Sequence, residues 1–326
     1  MSNTALTDRI LACTGASRVV RVDTIQELWS GYGQIERYSL ETHEDAGGRE
    51  ASSVIVKRIQ PPDSQQHPRG WNNQASVARK LESYQIEANW YTDYARNASK
   101  LCAMPELYAQ FSQKNNICLI LEDLDLHYPN RFTTLSFEQC IACVHWLAKF
   151  HAQYLHHPGN SLWPIGTYWH LDTRADEFAA MPASELKDAA ASISQRLNHC
   201  TYKTLVHGDA KVANVCFPKT NGDVAFVDFQ YVGKGCGMSD LAYFLGSCLS
   251  SEQCHRHASA LLDVYFAELS RHIETSQASA VETEWRTLFP FAWADFHRFL
   301  AGWMPEHHKI NGYTKAMTEQ ALNQSF

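Results

Sequence analysis

The chain has 326 residues, with 28 Lys and Arg against 35 Asp and Glu, a formal net charge of −7. That balance excludes the broad basic surface of a general nucleic-acid binder. Its 45% hydrophobic, 12% aromatic and 19% charged residues describe a globular protein with a large core, and its length exceeds the usual size of one core, so two lobes are expected.

The N-terminal segment has no signal-peptide run behind a basic start, and no later stretch reaches the roughly eighteen apolar residues of a membrane span. The expectation is a cytoplasmic protein, a monomer or homodimer, with neither membrane nor nucleic acid as partner. From Thr24 to Ile59 extended segments alternate with glycine: TIQELW, then Ser30-Gly31-Tyr32-Gly33, QIERYSLET, a turn through Ala46-Gly47-Gly48, and SSVIVKRI. The pattern predicts three antiparallel strands joined by hairpins. A proline-containing loop, PPDSQQHPRGWNNQ, leads to SVARKLESYQIEANWYTDYAR, where Val77, Leu81, Tyr84, Ala88 and Tyr91 recur at the spacing of an amphipathic helix.

After Met104-Pro105 come a predicted strand at Leu107 to Phe111 and a second, ICLILEDL, whose continuous apolar run suits a buried strand. A capping box, Ser136 to Gln139, opens a helix with Ile141, Val144, Leu147 and Ala148 on one face. Another helical stretch is predicted from Asp172 to Asn198. The short run TLVHGD follows, then VCF and VAFVDF as a hairpin turning at Asn221-Gly222, and mainly helix from Ser239 onward.

Ten cysteines scattered through predicted core elements read as free thiols. Cys140 and Cys143 have C-x-x-C spacing, but they lie inside a helix without a second pair and read as packing. The sixteen histidines form no H-E-x-x-H arrangement, so no dedicated metal cage is expected.

The chemistry concentrates in His207-Gly208-Asp209-Ala210-Lys211-Val212-Ala213-Asn214, followed by Val227-Asp228-Phe229-Gln230. Phosphoryl transfer needs a carboxylate that orients the attacking hydroxyl and accepts its proton, plus oxygen ligands that hold magnesium against the phosphates. One turn-rich loop here supplies Asp209 and Asn214, and an adjacent strand end supplies Asp228. A plain polar loop with Asp and Asn capping its turns would account for either segment alone.

H-G-D-x-x-x-x-N followed by D-F-Q resembles the aminoglycoside phosphotransferase and choline kinase superfamily, a branch of the protein-kinase-like fold. The resemblance implies an α+β, bilobal architecture: a small N-terminal nucleotide-binding lobe, residues 1–124, with an antiparallel sheet plus helix, and a larger, mainly helical C-terminal catalytic and substrate-binding lobe, residues 125–326. It implies ATP and Mg2+ as cofactors, Asp209 as catalytic base, Asn214 and Asp228 as magnesium ligands, and a phosphate-directed, transition-state role for Lys211. His151, in LAKFHAQYL, takes a structural place, and Asp240, in GMSDLAYFL, braces the catalytic loop or caps its helix.

A kinase reading also requires a glycine hairpin over the phosphates, a strand lysine and a helix glutamate. Gly31 and Gly33 meet the first requirement, although Glu36 stands where a third glycine would be; Lys57, in VIVKRI, meets the second. Glu87 is the expected partner of Lys57, with Glu82 as the alternative. Backbone groups at Glu122, Asp123 and Leu124 are expected to bind the adenine edge.

RKLESYQIEANWY, LILEDL, VDFQ and DLAYFL extend the likeness over most of residues 24–250, and the S-Y-x-x-E helix and D-F-Q ending resemble the ecdysteroid kinase-like branch. That leaves the acceptor open beyond a small molecule bearing a hydroxyl, because the acceptor pocket varies on a shared phosphate machinery. FPFAWADFHRFLAGWMPEHHK offers Trp293, Asp295, Trp303 and His307 as acceptor-site candidates, aromatics beside a carboxylate that could hold an amine or a hydroxylated ring. A catalytically silent kinase-like binding protein is the alternative from another class. A protein kinase is disfavoured by the short span between Asp228 and Asp240, which leaves no room for a long activation segment.

Overall fold

The structure is a computed structural model that describes residues 3–28, 31–41, 52–61 and 74–324. It divides into two compact units, Met1–Lys100 with Met104–His127, and Leu101–Ala103 with Tyr128–Phe326. The expected turn at Ala46–Gly48 and nearly all of the proline-containing loop lie outside the described residues.

The first unit comprises α1 (Asn3–Thr14), β1 (Arg18–Glu27), β2 (Gly33–Glu41), β3 (Ser53–Ile59), α2 (Gln74–Asn89), α3 (Ala95–Ala98), β4 (Leu107–Gln113) and β5 (Asn116–Glu122). Its five strands form one antiparallel sheet in the order β1-β2-β3-β5-β4. The sheet positions Lys57 through the two-residue period of β3. Val54 and Val56 point to one face, where they pack with Tyr38, Leu40, Cys118 and Ile120 against Leu6 and Ile10 of α1. Lys57 therefore points to the opposite face, where α2 supplies its partner.

The sequence reading assigns no element to residues 3–14. Only the apolar face of the sheet makes that weakly amphipathic segment worth ordering; burying Leu6 and Ile10 contributes about 1.5–3 kcal/mol each. At its other end the predicted helix of residues 76–96 widens into a π turn over Trp90–Tyr94, with Trp90 and Tyr94 stacked at 5.6 Å.

The second unit contains α4 (Phe137–Gln153), α5 (Ala175–Ala180), α6 (Glu185–Asn198), β6 (Thr204–Val206), β7 (Val215–Cys216), β8 (Ala225–Phe226), β9 (Gly233–Gly235), α7 (Gly237–Cys248), α8 (Ser251–Leu269), α9 (Thr275–Trp303) and α10 (Gly312–Asn323). The expected single helical stretch from Asp172 to Asn198 is broken between α5 and α6. Pro182 follows the end of α5, and the Ser184 side chain accepts from Lys187 N as the N-cap of α6. The capping box opening α4 is formed in both directions, and a second at Ser250 and Gln253 opens α8. Cys140 and Cys143 are fully buried on the inner face of α4, and all ten cysteines are free thiols. No helix among the described residues is long and apolar enough to cross a membrane.

Candidate active site

Three short antiparallel pairings place the polar residues of the second unit. β6 pairs with β9, β7 pairs with β8, and the Val227 N–H donates to the Asn214 carbonyl at 3.0 Å, so the backbone of Asn214 lies beside the residue preceding Asp228. Residues 101–103 belong to this unit because the Ala103 carbonyl accepts from Trp146 Nε1 at 2.9 Å and from Phe226 N at 3.2 Å. Beneath the loop, Trp146 stacks on Phe226 at 4.2 Å and on Phe150 at 5.0 Å, and Phe229 lies 4.7 Å from His207.

Gly208 begins the loop at φ +79°, and a Cβ there would sit 2.1 Å from the Tyr231 carbonyl oxygen, so only glycine fits. The Asp240 carboxylate accepts the N–H of His207 and of Gly208, and His151 joins it through Nε2 at 3.1 Å while its Nδ1 meets Tyr265 Oη at 2.7 Å. His207 is fully buried, and burial lowers its pKa, so the ring stays neutral. Asp209 N–H donates to its Nδ1 and its Nε2 lies 3.1 Å from the Val227 carbonyl, which puts the ring proton on Nε2.

From there the chain makes one tight turn. Lys211 N–H donates to the Asp209 carbonyl at 2.8 Å and Asn214 N–H to the Lys211 carbonyl at 2.8 Å. This geometry brings three donors to the Asp209 carboxylate: Lys211 Nζ at 2.8 Å and Asn214 Nδ2 at 3.2 Å on Oδ2, and Tyr243 Oη at 3.1 Å on Oδ1. Burial raises the Asp209 pKa, opposed by the Lys211 ammonium and reinforced by the Asp228 carboxylate. Tyr243 stays a protonated phenol because burial and Asp209 both push its pKa up.

Asp228 adopts a left-handed backbone at φ +70°, uncommon for a residue with a side chain and of the kind found where a site dictates the conformation. With Asn214 Nδ2 turned toward Asp209, its side-chain carbonyl oxygen is the remaining donor atom. An amide oxygen and a carboxylate are the hard oxygen donors that suit magnesium.

In the first unit Lys57 Nζ donates to both Glu87 carboxylate oxygens, at 2.8 and 2.6 Å, with both side chains buried. Lys57 is paired with Glu87, not Glu82. Gly31 and Gly33 both have positive φ; Gly31 N–H donates to the Leu28 carbonyl, and a Cβ at Gly33 would lie 1.8 Å from the Arg58 carbonyl oxygen. The Gly33 position is thus dictated by close backbone approach inside the sheet. At the end of β5 the Glu122 N–H donates to Glu106 and the Leu124 carbonyl accepts from His127. Asp123 is fixed by Arg37 Nε at 2.6 Å and by Ser53 Oγ at 2.7 Å.

The residues expected from the C-terminal aromatic segment separate. Asp295 is paired with the buried Arg298 guanidinium at 2.9 Å and lines a small pocket of about 10 Å³ together with His170 and Ser194. Trp293 is core, 2% exposed and packed edge-on against Tyr313. Trp303 is exposed, stacked on Phe299 at 5.6 Å and 6.0 Å from His307. Sequence reasoning missed Tyr243. Tyr243 sits in the quoted DLAYFL run, one helical turn after Asp240, but nothing in its spacing announces that its hydroxyl reaches a residue 34 positions earlier.

No curated protein sequence matches this chain at a significant level. Among solved structures, a protein assigned as an aminoglycoside phosphotransferase from Ralstonia eutropha JMP134 superposes with a TM-score of 0.52 at 11% identity, covering 99% of this chain and 96% of its own. A choline kinase from Cryptosporidium parvum gives 0.51 at 10% identity, over 94% and 88%. At such identities the likeness establishes a kinase-like fold. The ecdysteroid kinase-like family matches residues 32–155 and 169–278, and the chain belongs to that family.

Proposed function

We propose that this protein is an ATP-dependent phosphotransferase that moves the γ-phosphate to a hydroxyl of a small molecule. The observation that carries the reading is the Asp209 carboxylate, buried and oriented by Lys211, Asn214 and Tyr243. A carboxylate so held accepts the acceptor's hydroxyl proton as the oxygen–phosphorus bond forms and the bond to the ADP leaving group breaks. Family membership and the kinase-like fold support the same chemistry.

Asn214 and Asp228 are the residues that would hold Mg2+, which supplies charge neutralisation at the phosphates. Lys211 offsets charge at the transferring group. In the first unit the buried Lys57–Glu87 pair is the proposed anchor for the α and β phosphates, the Gly31–Gly33 turn a phosphate cover, and the backbone at Glu122, Asp123 and Leu124 the adenine contact. The first unit is accordingly the nucleotide-binding part, and the second carries catalysis and acceptor.

The test is a screen of hydroxyl-bearing metabolites for magnesium-dependent ADP production, with Asp209→Asn as control. Turnover should vanish in that variant while fold and nucleotide binding persist. Full activity in Asp209→Asn refutes the base assignment, and nucleotide binding without turnover across the whole panel favours a silent binding protein.

A further inference from the structure

The surroundings of Asp209 within the second unit are aromatic and cationic. Trp169, Tyr243, Phe296, Phe299 and Leu300 form one buried cluster, with Tyr168 and Ile310 packed against it. Tyr243 donates to Asp209, and the Tyr168 hydroxyl lies 3.3 Å from that of Tyr243. Between α9 and α10, the Lys309 ammonium comes to 5.1 Å from the Tyr243 ring centre and 5.7 Å from that of Phe296.

Three carboxylates of this unit already have cationic partners. Asp295 pairs with Arg298, Glu177 with Arg174, and Asp209 with Lys211. Lys309 has no ion-pair partner among the described residues. It nevertheless lies within electrostatic reach of both Asp209 and Lys211, and burial lowers its pKa. Lys309 is half-buried, and the ring faces give its ammonium cation–π contacts that an anion would complement. A cationic acceptor would meet the Lys309 ammonium, while Asp295, Glu177 and Asp209 already hold cations of their own.

We infer that the acceptor carries an anionic group, a carboxylate or its equivalent, beside the hydroxyl it presents to Asp209, and that Lys309 is the residue that takes it. The inference rests on the phosphotransfer reading for the identity of the ligand as acceptor, but the charge preference of the site is measurable without turnover. Anionic oxygens could also come from the phosphoryl group in transfer, and the kinetic arm below separates that source from the acceptor.

Three isosteric probes share a ring and a hydroxymethyl group and differ only in charge: para-(hydroxymethyl)benzoate, para-benzenedimethanol and para-(hydroxymethyl)benzylamine. Their binding to the full chain is measured by calorimetry in the presence of ADP and Mg2+, for the unaltered protein, Lys309→Met and Lys309→Glu. The benzoate should bind best and the benzylamine worst. Lys309→Met should weaken the benzoate by about tenfold or more, the scale of a charged hydrogen bond, and leave the diol unchanged, while Lys309→Glu should reverse the order.

No benzoate binding, equal binding of the three, or benzoate affinity that survives Lys309→Met overturns the inference. So does a Lys309→Met variant whose turnover falls by one common factor on acid and diol with KM unchanged, because Lys309 then serves the phosphoryl group. Charge-ordered binding without ADP formation supports the role of Lys309 and counts against phosphotransfer alone.

Discussion

The Asp240 carboxylate takes the backbone N–H of Gly208 at 2.9 Å with one oxygen and that of His207 at 2.5 Å with the other. A fully buried side chain 32 residues downstream thus replaces the hydrogen bonds a loop would otherwise need from water. Asp240→Ala would leave two buried N–H groups without an acceptor, and the expected loss of stability is roughly 3 kcal/mol or more. Urea denaturation checks it. Asp240→Asn, which keeps one acceptor oxygen, should fall between the two.

Lys57 and Glu87 make a buried ion pair, so removing either partner strands a charge. Lys57→Met should cost about 3–5 kcal/mol, and the double variant Lys57→Met with Glu87→Leu should recover much of that loss. Denaturation midpoints give the comparison, and nucleotide affinity should fall in the single and the double variant alike. A double variant less stable than Lys57→Met would show that the pair contributes more than mutual neutralisation.

Tyr243→Phe keeps the ring in its cluster and removes the donor on Asp209 Oδ1 together with the hydroxyl contact to Tyr168. The melting temperature should change little. The expected consequence is a drop in kcat of about tenfold, the size of one hydrogen bond to a charged group, with acceptor KM less affected. Steady-state kinetics on an acceptor identified by the screen decides it.

His297 is largely buried between Thr318, which meets its Nδ1 at 2.9 Å, and the field of Lys315. Burial, with Lys315 adding to it, lowers its pKa to about 4. The unfolded chain, titrating near 6.5, binds the proton more readily, so this contribution is full above pH 6.5 and is lost as pH falls toward 4. The loss reaches roughly 2 kcal/mol at pH 5. Melting curves at pH 7.5 and pH 5 should show a smaller acid shift for His297→Gln than for the unaltered protein.

Asp123 has the opposite chemistry and the same pH direction. Burial alone would raise its pKa, but the hydrogen bonds from Arg37 and Ser53 outweigh it and hold the carboxyl below the usual range. Its contribution is present above the ordinary carboxylate pKa and disappears as pH falls through the depressed value. Arg37→Ala should therefore destabilise the first unit at pH 7 and lose that effect in strong acid, which acid titration of the melting temperature tests.

Much of the architecture was legible because local rules carried it. Four of the five strands were readable from alternation, apolar runs and glycine punctuation, while β1 begins at Arg18 and not at the predicted Thr24; the start of α4 was readable from Ser136 and Gln139. The motif His207 to Asn214 with Asp228 was readable because a proton acceptor and hard oxygen ligands must be particular residue types at short range. Helix α1 was not legible, since its apolar content is modest until the sheet presents a face to it. Nor was the break at Met181–Ser184 placed, although Pro182 and Ser184 stood in the sequence.

By itself the sequence determined most of the sheet strands, the start of α4 and the residue types suited to phosphoryl transfer, because these are set by spacing along the chain. The tertiary structure decided which charges are already paired. It gave Asp295 to Arg298, Glu87 to Lys57 and Asp240 to the loop backbone, and it brought Tyr243 onto Asp209 and Lys309 onto the ring of Tyr243. Pairing depends on distance and burial between segments far apart in sequence, which no local pattern encodes.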